Sequence, residues 1–128
     1  MSKRIWVVDD DEEMLRAVRL MLVVLEYPVT TFFGARSVVQ ALREGDRFDL
    51  MLLDINMPEV TGLDLLEYLR RQPVTKDLPV VMLSTEASDV MVDRARALGA
   101  DAYATKPATI EELERAMKEA FEKRSKAG

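Results

Sequence analysis

Apolar positions in this chain fall into two alternating rhythms. Short unbroken runs, Ile5 to Val8, Leu50 to Leu53 and Leu78 to Leu83 with Pro79 near its start, are bounded by charged or turn residues. Such runs are the pattern of strands buried on both faces, as in a parallel sheet. Val29 to Phe33, ended by Gly34, and Ala102 to Thr105 read as strands of mixed polarity, suited to sheet edges. Between the runs the spacing becomes helical. Leu15, Val18, Leu22 and Leu25 form one core face, closed by Pro28. Residues 35–44 place Val38, Val39 and Leu42 inward and stop at Gly45. Leu63, Leu66 and Leu69 line a third helix ending before Pro73, and residues 88–98 a fourth with Met91, Ala95 and Leu98. Gly99 ends that helix, and Ile110, Leu113, Met117 and Phe121 face inward from a fifth. Glu12 and Glu13 suit a first helical turn, and Thr61 with Asp64 and Thr109 with Glu112 are spaced as capping boxes. The tail after Lys123 is small and polar and is expected to fray.

Five strands alternating with five helices predict an α/β fold, a doubly wound five-stranded parallel sheet of flavodoxin-like type. The wholly apolar strands belong at the centre and the mixed ones at the edges, which predicts the order 2-1-3-4-5. No repeat, low-complexity segment or interdomain linker interrupts the pattern. Residues 1–128 therefore read as a single domain with an ordered core of about 3–122.

Composition narrows the chemistry. Hydrophobic residues make up 48% and charged residues 32% of the 128, and the net charge is −5. That charge argues against direct nucleic-acid binding or attachment to an anionic membrane. With no Cys and no His, thiol chemistry and an imidazole base are excluded, and any phosphohistidine must be on another molecule. Met1 to Arg4 runs straight into a strand without a signal-peptide core, and Leu20 to Leu25 is too short to span a bilayer. The expectation is a cytoplasmic protein.

The strongest chemical signal is Asp54, where the run Leu50 to Leu53 ends abruptly at a carboxylate. A charge just past a buried strand is expected at the mouth of the sheet, because burial in the core carries a large desolvation cost. Asp9, Asp10, Ser84 and Lys106 also follow strands, so a parallel sheet brings all five to one edge. Three carboxylates together repel, and a hard cation such as Mg²⁺ relieves this. A nearby lysine supplies a point charge for phosphoryl oxygens, and the Ser84 hydroxyl can hydrogen-bond one more. This is equipment for phosphoryl transfer, with a carboxylate as nucleophile. Taken singly, an acidic turn usually caps a helix, an Asp after a strand usually makes a turn, and a Lys before Pro is usually solvated. Their convergence argues for a site.

Val7-Val8-Asp9-Asp10-Asp11, Asp54-Ile55-Asn56-Met57-Pro58 with Gly62, Ser84, and Lys106-Pro107 together resemble the motif set of receiver domains of two-component response regulators, of the chemotaxis-regulator type. The resemblance covers about Lys3 to Phe121. It implies a phosphorylation-activated switch in which Asp54 accepts a phosphoryl group from a histidine kinase or phosphotransfer protein. It also implies Mg²⁺ held by Asp10, Asp54 and the backbone carbonyl of Asn56, with Asp9 on a metal-bound water. Lys106 would contact the phosphoryl group, its bond to Pro107 being usually cis in the family. Ser84 and Tyr103 would be the switch pair, although a lone edge-strand tyrosine is usually half-buried packing. Asn56 and Glu86 fall at positions that tune water attack. Two residues depart from the usual pattern. Thr85 stands where a small residue is usual and would narrow access to the phosphoryl group. Ala108 stands where Phe is common, which leaves less packing between this loop and the last helix. The domain would act on itself only, not as an enzyme on other substrates.

The contrasting reading is a small Mg²⁺-dependent phosphatase with an aspartyl nucleophile. Such enzymes carry a general acid two residues after the nucleophile, where Asn56 stands and cannot serve. A flavodoxin-like cofactor binder lacks its phosphate-cradling loop here, since acids follow the first strand. On the first helix, Ala17, Leu20 and Val24 fall opposite the core face, and Leu20 and Val24 are candidates for kinase contact. By resemblance, the face of helix 4, strand 5 and helix 5 would carry the downstream protein target. The sequence leaves open whether the active form pairs with a second copy, and whether the chain is a stand-alone receiver or one module of a larger regulator.

Overall fold

A computed structural model describes residues 2–86 and 88–127. Its elements run β1 (Ile5–Val8), α1 (Glu12–Val24), β2 (Val29–Phe32), α2 (Ala35–Arg43), β3 (Leu50–Asp54), α3 (Gly62–Arg71), β4 (Val80–Ser84), α4 (Asp89–Ala97), β5 (Ala102–Thr105) and α5 (Ile110–Ala127). The strands form one parallel sheet in the order β2-β1-β3-β4-β5. The apolar strands are central and the mixed ones are edges, as their sequences predict.

Successive strand side chains point to opposite faces, so each unbroken apolar run feeds two cores. Trp6, Val8, Met51, Leu53, Val80 and Met82 pack with Val38, Leu42, Leu66 and Leu69, on the side of α2 and α3. Ile5, Val7, Leu50, Leu52, Val81 and Leu83 pack with Leu15, Leu22, Leu113 and Met117, on the side of α1 and α5. Both faces of the sheet are thereby covered, and the C-terminal ends of the strands are left for chemistry.

The helix ends follow local rules. Thr61 and Asp64 form the expected capping box, and Thr109 and Glu112 exchange the same reciprocal bonds. Asp11 accepts the amides of Glu13 and Met14 at the start of α1. Three helices close in the same double-bonded turn. Gly45 and Gly99 take its left-handed residue in α2 and α4, with φ of 98° and 111°. In α1 the residue is Glu26, at φ 66°, while Tyr27 N–H reaches Leu22 C=O at 3.0 Å.

Several boundaries differ from the sequence expectation. β2 ends at Phe32, and Phe33 turns outward, 62% exposed. β4 begins at Val80, because the Leu78 amide bonds the Thr75 carbonyl in the preceding turn. Leu25 caps α1 half-buried instead of joining the core, and Met91, Leu98, Ile110 and Phe121 are also half-buried. α5 does not end near Lys123. It continues because Arg124 is tied at 2.8 Å to the buried Asp101.

Candidate functional site

Asp54 is the last residue of β3, not the residue after it, and is only 3% exposed. The expectation of a carboxylate clear of the core is corrected here: Asp54 is buried because a cation is buried with it. Lys106, just past β5, places Nζ 2.9 Å from Asp54 Oδ1 and 2.7 Å from Asp9 Oδ2. The lysine side chain is 9% exposed, far from the usual solvated state of a Lys before Pro. Its peptide bond to Pro107 is cis. Burial holds the Asp54 carboxyl above its ordinary value, the charges of Asp9 and Asp10 add to this, and Lys106 opposes it. Burial works against the charged form of Lys106 as well, but its hydrogen bonds to Asp9 and Asp54 prevail and raise its pKa.

Asp9, Asp10 and Asp54 each offer a carboxylate oxygen, and these oxygens lie within 4.8 Å of one another. Three hard oxygen donors at that spacing fit a small divalent cation such as Mg²⁺. The three are not equivalent. Asp9 is buried, its Oδ1 accepting the Asp11 amide at 3.0 Å and its Oδ2 bonding Lys106. Asp10 is exposed, so it faces whatever enters the mouth.

Ser84 ends β4, fully buried, and its Oγ accepts the Glu86 amide at 3.1 Å. The Tyr103 hydroxyl donates to the Glu86 carbonyl at 2.7 Å. The two serially distant positions are thus joined through one residue of the β4–α4 loop. Asn56, Thr85 and Glu86 are all exposed around the mouth. Leu20 and Val24 lie on the outer face of α1, 61% and 67% exposed, with Val23 beside them at 55%.

The sequence matches the response regulator receiver domain family over residues 5–118. The chain belongs to that family.

Relatives of this receiver domain include the two-component response regulator ARR10 of Arabidopsis thaliana, 39% identical over 111 residues, 86% of this chain and 20% of that protein. Another is the two-component response regulator ORR26 of Oryza sativa subsp. japonica, 35% identical over 122 residues, 94% of this chain and 20% of that protein. The chain spans about a fifth of the length of these curated relatives. A CheY-like response regulator receiver domain protein from Methanospirillum hungatei superposes with a TM-score of 0.86 at 30% identity, covering 100% of both chains. The chemotaxis protein CheY4 of Vibrio cholerae gives 0.85 at 29%, covering 94% of this chain and 99% of its own.

One buried ionic network escaped the sequence reading. Asp101 is 1% exposed and bonds Arg70 at 3.0 Å, Arg124 at 2.8 Å and the Val80 amide at 3.0 Å. Arg70 also donates to the carbonyls of Leu78 and Gly99. Burial, and then the neighbouring charge of Arg124, pull the Arg70 guanidinium down to about 10, so it remains a cation at neutral pH. This cluster joins α3, α5 and the entry to β5, whereas the acidic site lies at the strand C-termini. No local pattern marks it, since its bonded side chains lie up to 31 residues apart. Among the described residues, no helix is long and apolar enough to cross a membrane.

Proposed function

We propose that this receiver domain is a switch operated by phosphorylation of Asp54 and addressed by a histidine kinase or phosphotransfer protein. The observation that carries the reading is the buried pairing of Asp54 with Lys106 inside a cluster of three carboxylates. In that reading one Asp54 carboxylate oxygen attacks the phosphorus of a phosphohistidine. The P–N bond breaks, and its electron pair returns to the imidazole of the donor. Lys106, already at the carboxylate, pairs with the phosphoryl oxygens as charge arrives there. Asp10, Asp54 and the Asn56 carbonyl would hold Mg²⁺ directly, and Asp9 through a water, since both Asp9 oxygens already have protein partners. The bound ion would neutralise the carboxylates and draw in phosphoryl oxygens.

Ser84 accepts the Glu86 amide, a role that leaves the hydroxyl able to donate its proton to a phosphoryl oxygen. A shift of Ser84 toward that oxygen pulls on Glu86, whose carbonyl holds Tyr103. Tyr103 then changes place on the face of α4, β5 and α5, which meets the downstream protein. Asn56 and Glu86 orient attacking water, and the Thr85 methyl narrows its approach. Leu20 and Val24 offer the kinase an apolar face. Residues 1–128 act as one domain, self-modifying only, at work in the cytoplasm. The phosphatase reading finds no support, as Asn56 stands where it needs an acid.

Incubation with acetyl phosphate and Mg²⁺, followed by intact mass, tests the assignment. A single phosphoryl adduct, absent in Asp54→Asn and absent without Mg²⁺, is expected. Normal labelling of Asp54→Asn would overturn it.

A further inference from the structure

A groove runs between α2 and α3 beside the β3–α3 loop, away from the faces discussed above. It has two adjoining cavities of about 350 and 380 Å³, which share Ala35, Arg36 and Val60. Met57 and Val60 line its upper part, and Val39, Leu65 and Tyr68 line its lower part. Val39, Val60 and Tyr68 are only half-buried, so their outer surfaces form the groove walls. Phe33 stands at the upper end, 62% exposed. An exposed aromatic ring beside an apolar groove marks an interaction surface.

The charges on the rim say what covers it. The α2 wall carries two cations, Arg36 and Arg43, and the opposite wall carries two anions, Glu59 and Asp64. Arg36 and Glu59 stand at the same level and form an ion pair of 3.4 Å across the groove within one chain, and both stay largely exposed, so each also presents its charge to a mate. A surface with opposite charges on its two walls is complementary to itself. A two-fold axis along the groove lays the α2 wall of one copy on the loop–α3 wall of its mate. Each Arg36 then faces the mate's Glu59, and the two Phe33 rings enter one apolar seam. Self-complementarity of this kind is what an isologous interface requires.

We infer that the α2–α3 groove pairs with the same groove of a second copy of this chain. The contact does not draw on phosphoryl chemistry, so it stands or falls separately from the switch. Sedimentation equilibrium of the unphosphorylated protein over a wide concentration series is expected to show a reversible monomer–dimer equilibrium. Phe33→Asp should raise the dissociation constant roughly tenfold or more, the effect of losing a central interface anchor. Arg36→Glu alone and Glu59→Arg alone should each weaken the dimer, and an equimolar mixture of the two variants should restore it, because both cross-contacts regain opposite charges. The mixing arm guards against misfolding of the Phe33 variant, as does its far-ultraviolet circular dichroism. A monomer at every concentration would overturn the inference, and so would growth beyond a dimer. Val90 on α4, 79% exposed, provides the contrast. Loss of the dimer in Val90→Asp but not in Phe33→Asp would place the second copy on another face and overturn it as well.

Discussion

Gly62 lies directly against the carbonyl of Asp54. A Cβ built on Gly62 would overlap that oxygen and stand 2.8 Å from the Cα of Ile55. The Gly62 amide also donates to the Ile55 carbonyl at 2.8 Å, folding the start of α3 back onto the end of β3. Asp54 and the next helix are therefore locked together by backbone, which cannot move aside as a flexible side chain would.

Gly62→Ala should cost at least the about 1–3 kcal/mol of an overpacked core substitution. It should also weaken Mg²⁺ binding, because the clash falls on a residue proposed to hold the ion. Urea unfolding and a metal titration measure the two effects, and unchanged values in both would refute the locking argument.

Lys106→Met should destabilise the fold by about 3–5 kcal/mol, since it strands two buried carboxylates. Lys106 has a raised pKa in the fold. Its stabilisation is fully present below its unfolded value of 10.5 and is lost as pH rises through the folded value. The stability gap between parent and variant, followed by urea unfolding, should therefore hold at neutral pH, shrink in strong alkali as the lysine loses its proton, and shrink in acid where the stranded carboxylates are protonated.

Asp54 has a shift of the same direction but the opposite consequence at neutral pH. Its folded pKa is raised from 3.8, so the native state holds that proton more tightly than the unfolded chain does. The resulting stabilisation is present below 3.8 and is lost as pH rises through the folded value. Asp54→Asn should accordingly be more stable than the parent at neutral pH, with the difference narrowing as the pH falls to about 4. A difference that widens in acid would contradict the sign.

Glu26 occupies a left-handed position that glycine fills at the ends of α2 and α4. Relief of the side-chain strain there is worth about 1 kcal/mol, partly offset by the greater freedom of an unfolded glycine. Glu26→Gly should raise the melting temperature by a few degrees, while Gly99→Glu should lower it. Gly99 also packs on Arg70, a Cβ there meeting its side chain at 2.9 Å.

Leu20→Glu should slow phosphoryl transfer from the cognate kinase and leave labelling by acetyl phosphate unchanged. The side chain is 61% exposed, so the substitution does not reach the core. Equal loss in both assays would indicate damage to the fold, and no loss in either would remove this face from kinase recognition.

What the sequence determined by itself rests on short-range physics. An unbroken apolar run must be covered on both sides, which made β1, β3 and β4 central and left β2 and β5 at the edges. The pairs Thr61–Asp64 and Thr109–Glu112 satisfy helix amides within three residues, so spacing alone revealed them. Parallel strands end at one edge, and this alone brings Asp9, Asp10, Asp54, Ser84 and Lys106 together. Tertiary structure alone decided what depends on distant partners. Asp54 is buried at the mouth of the sheet because Lys106, which reaches across 97 residues to Asp9, brings a compensating charge. α5 outlasts its apolar stripe because Arg124 finds Asp101, and Phe33 leaves β2 because that strand ends one residue earlier. A local pattern shows that a residue is charged or apolar, but the cost of burying it depends on what the rest of the chain places beside it.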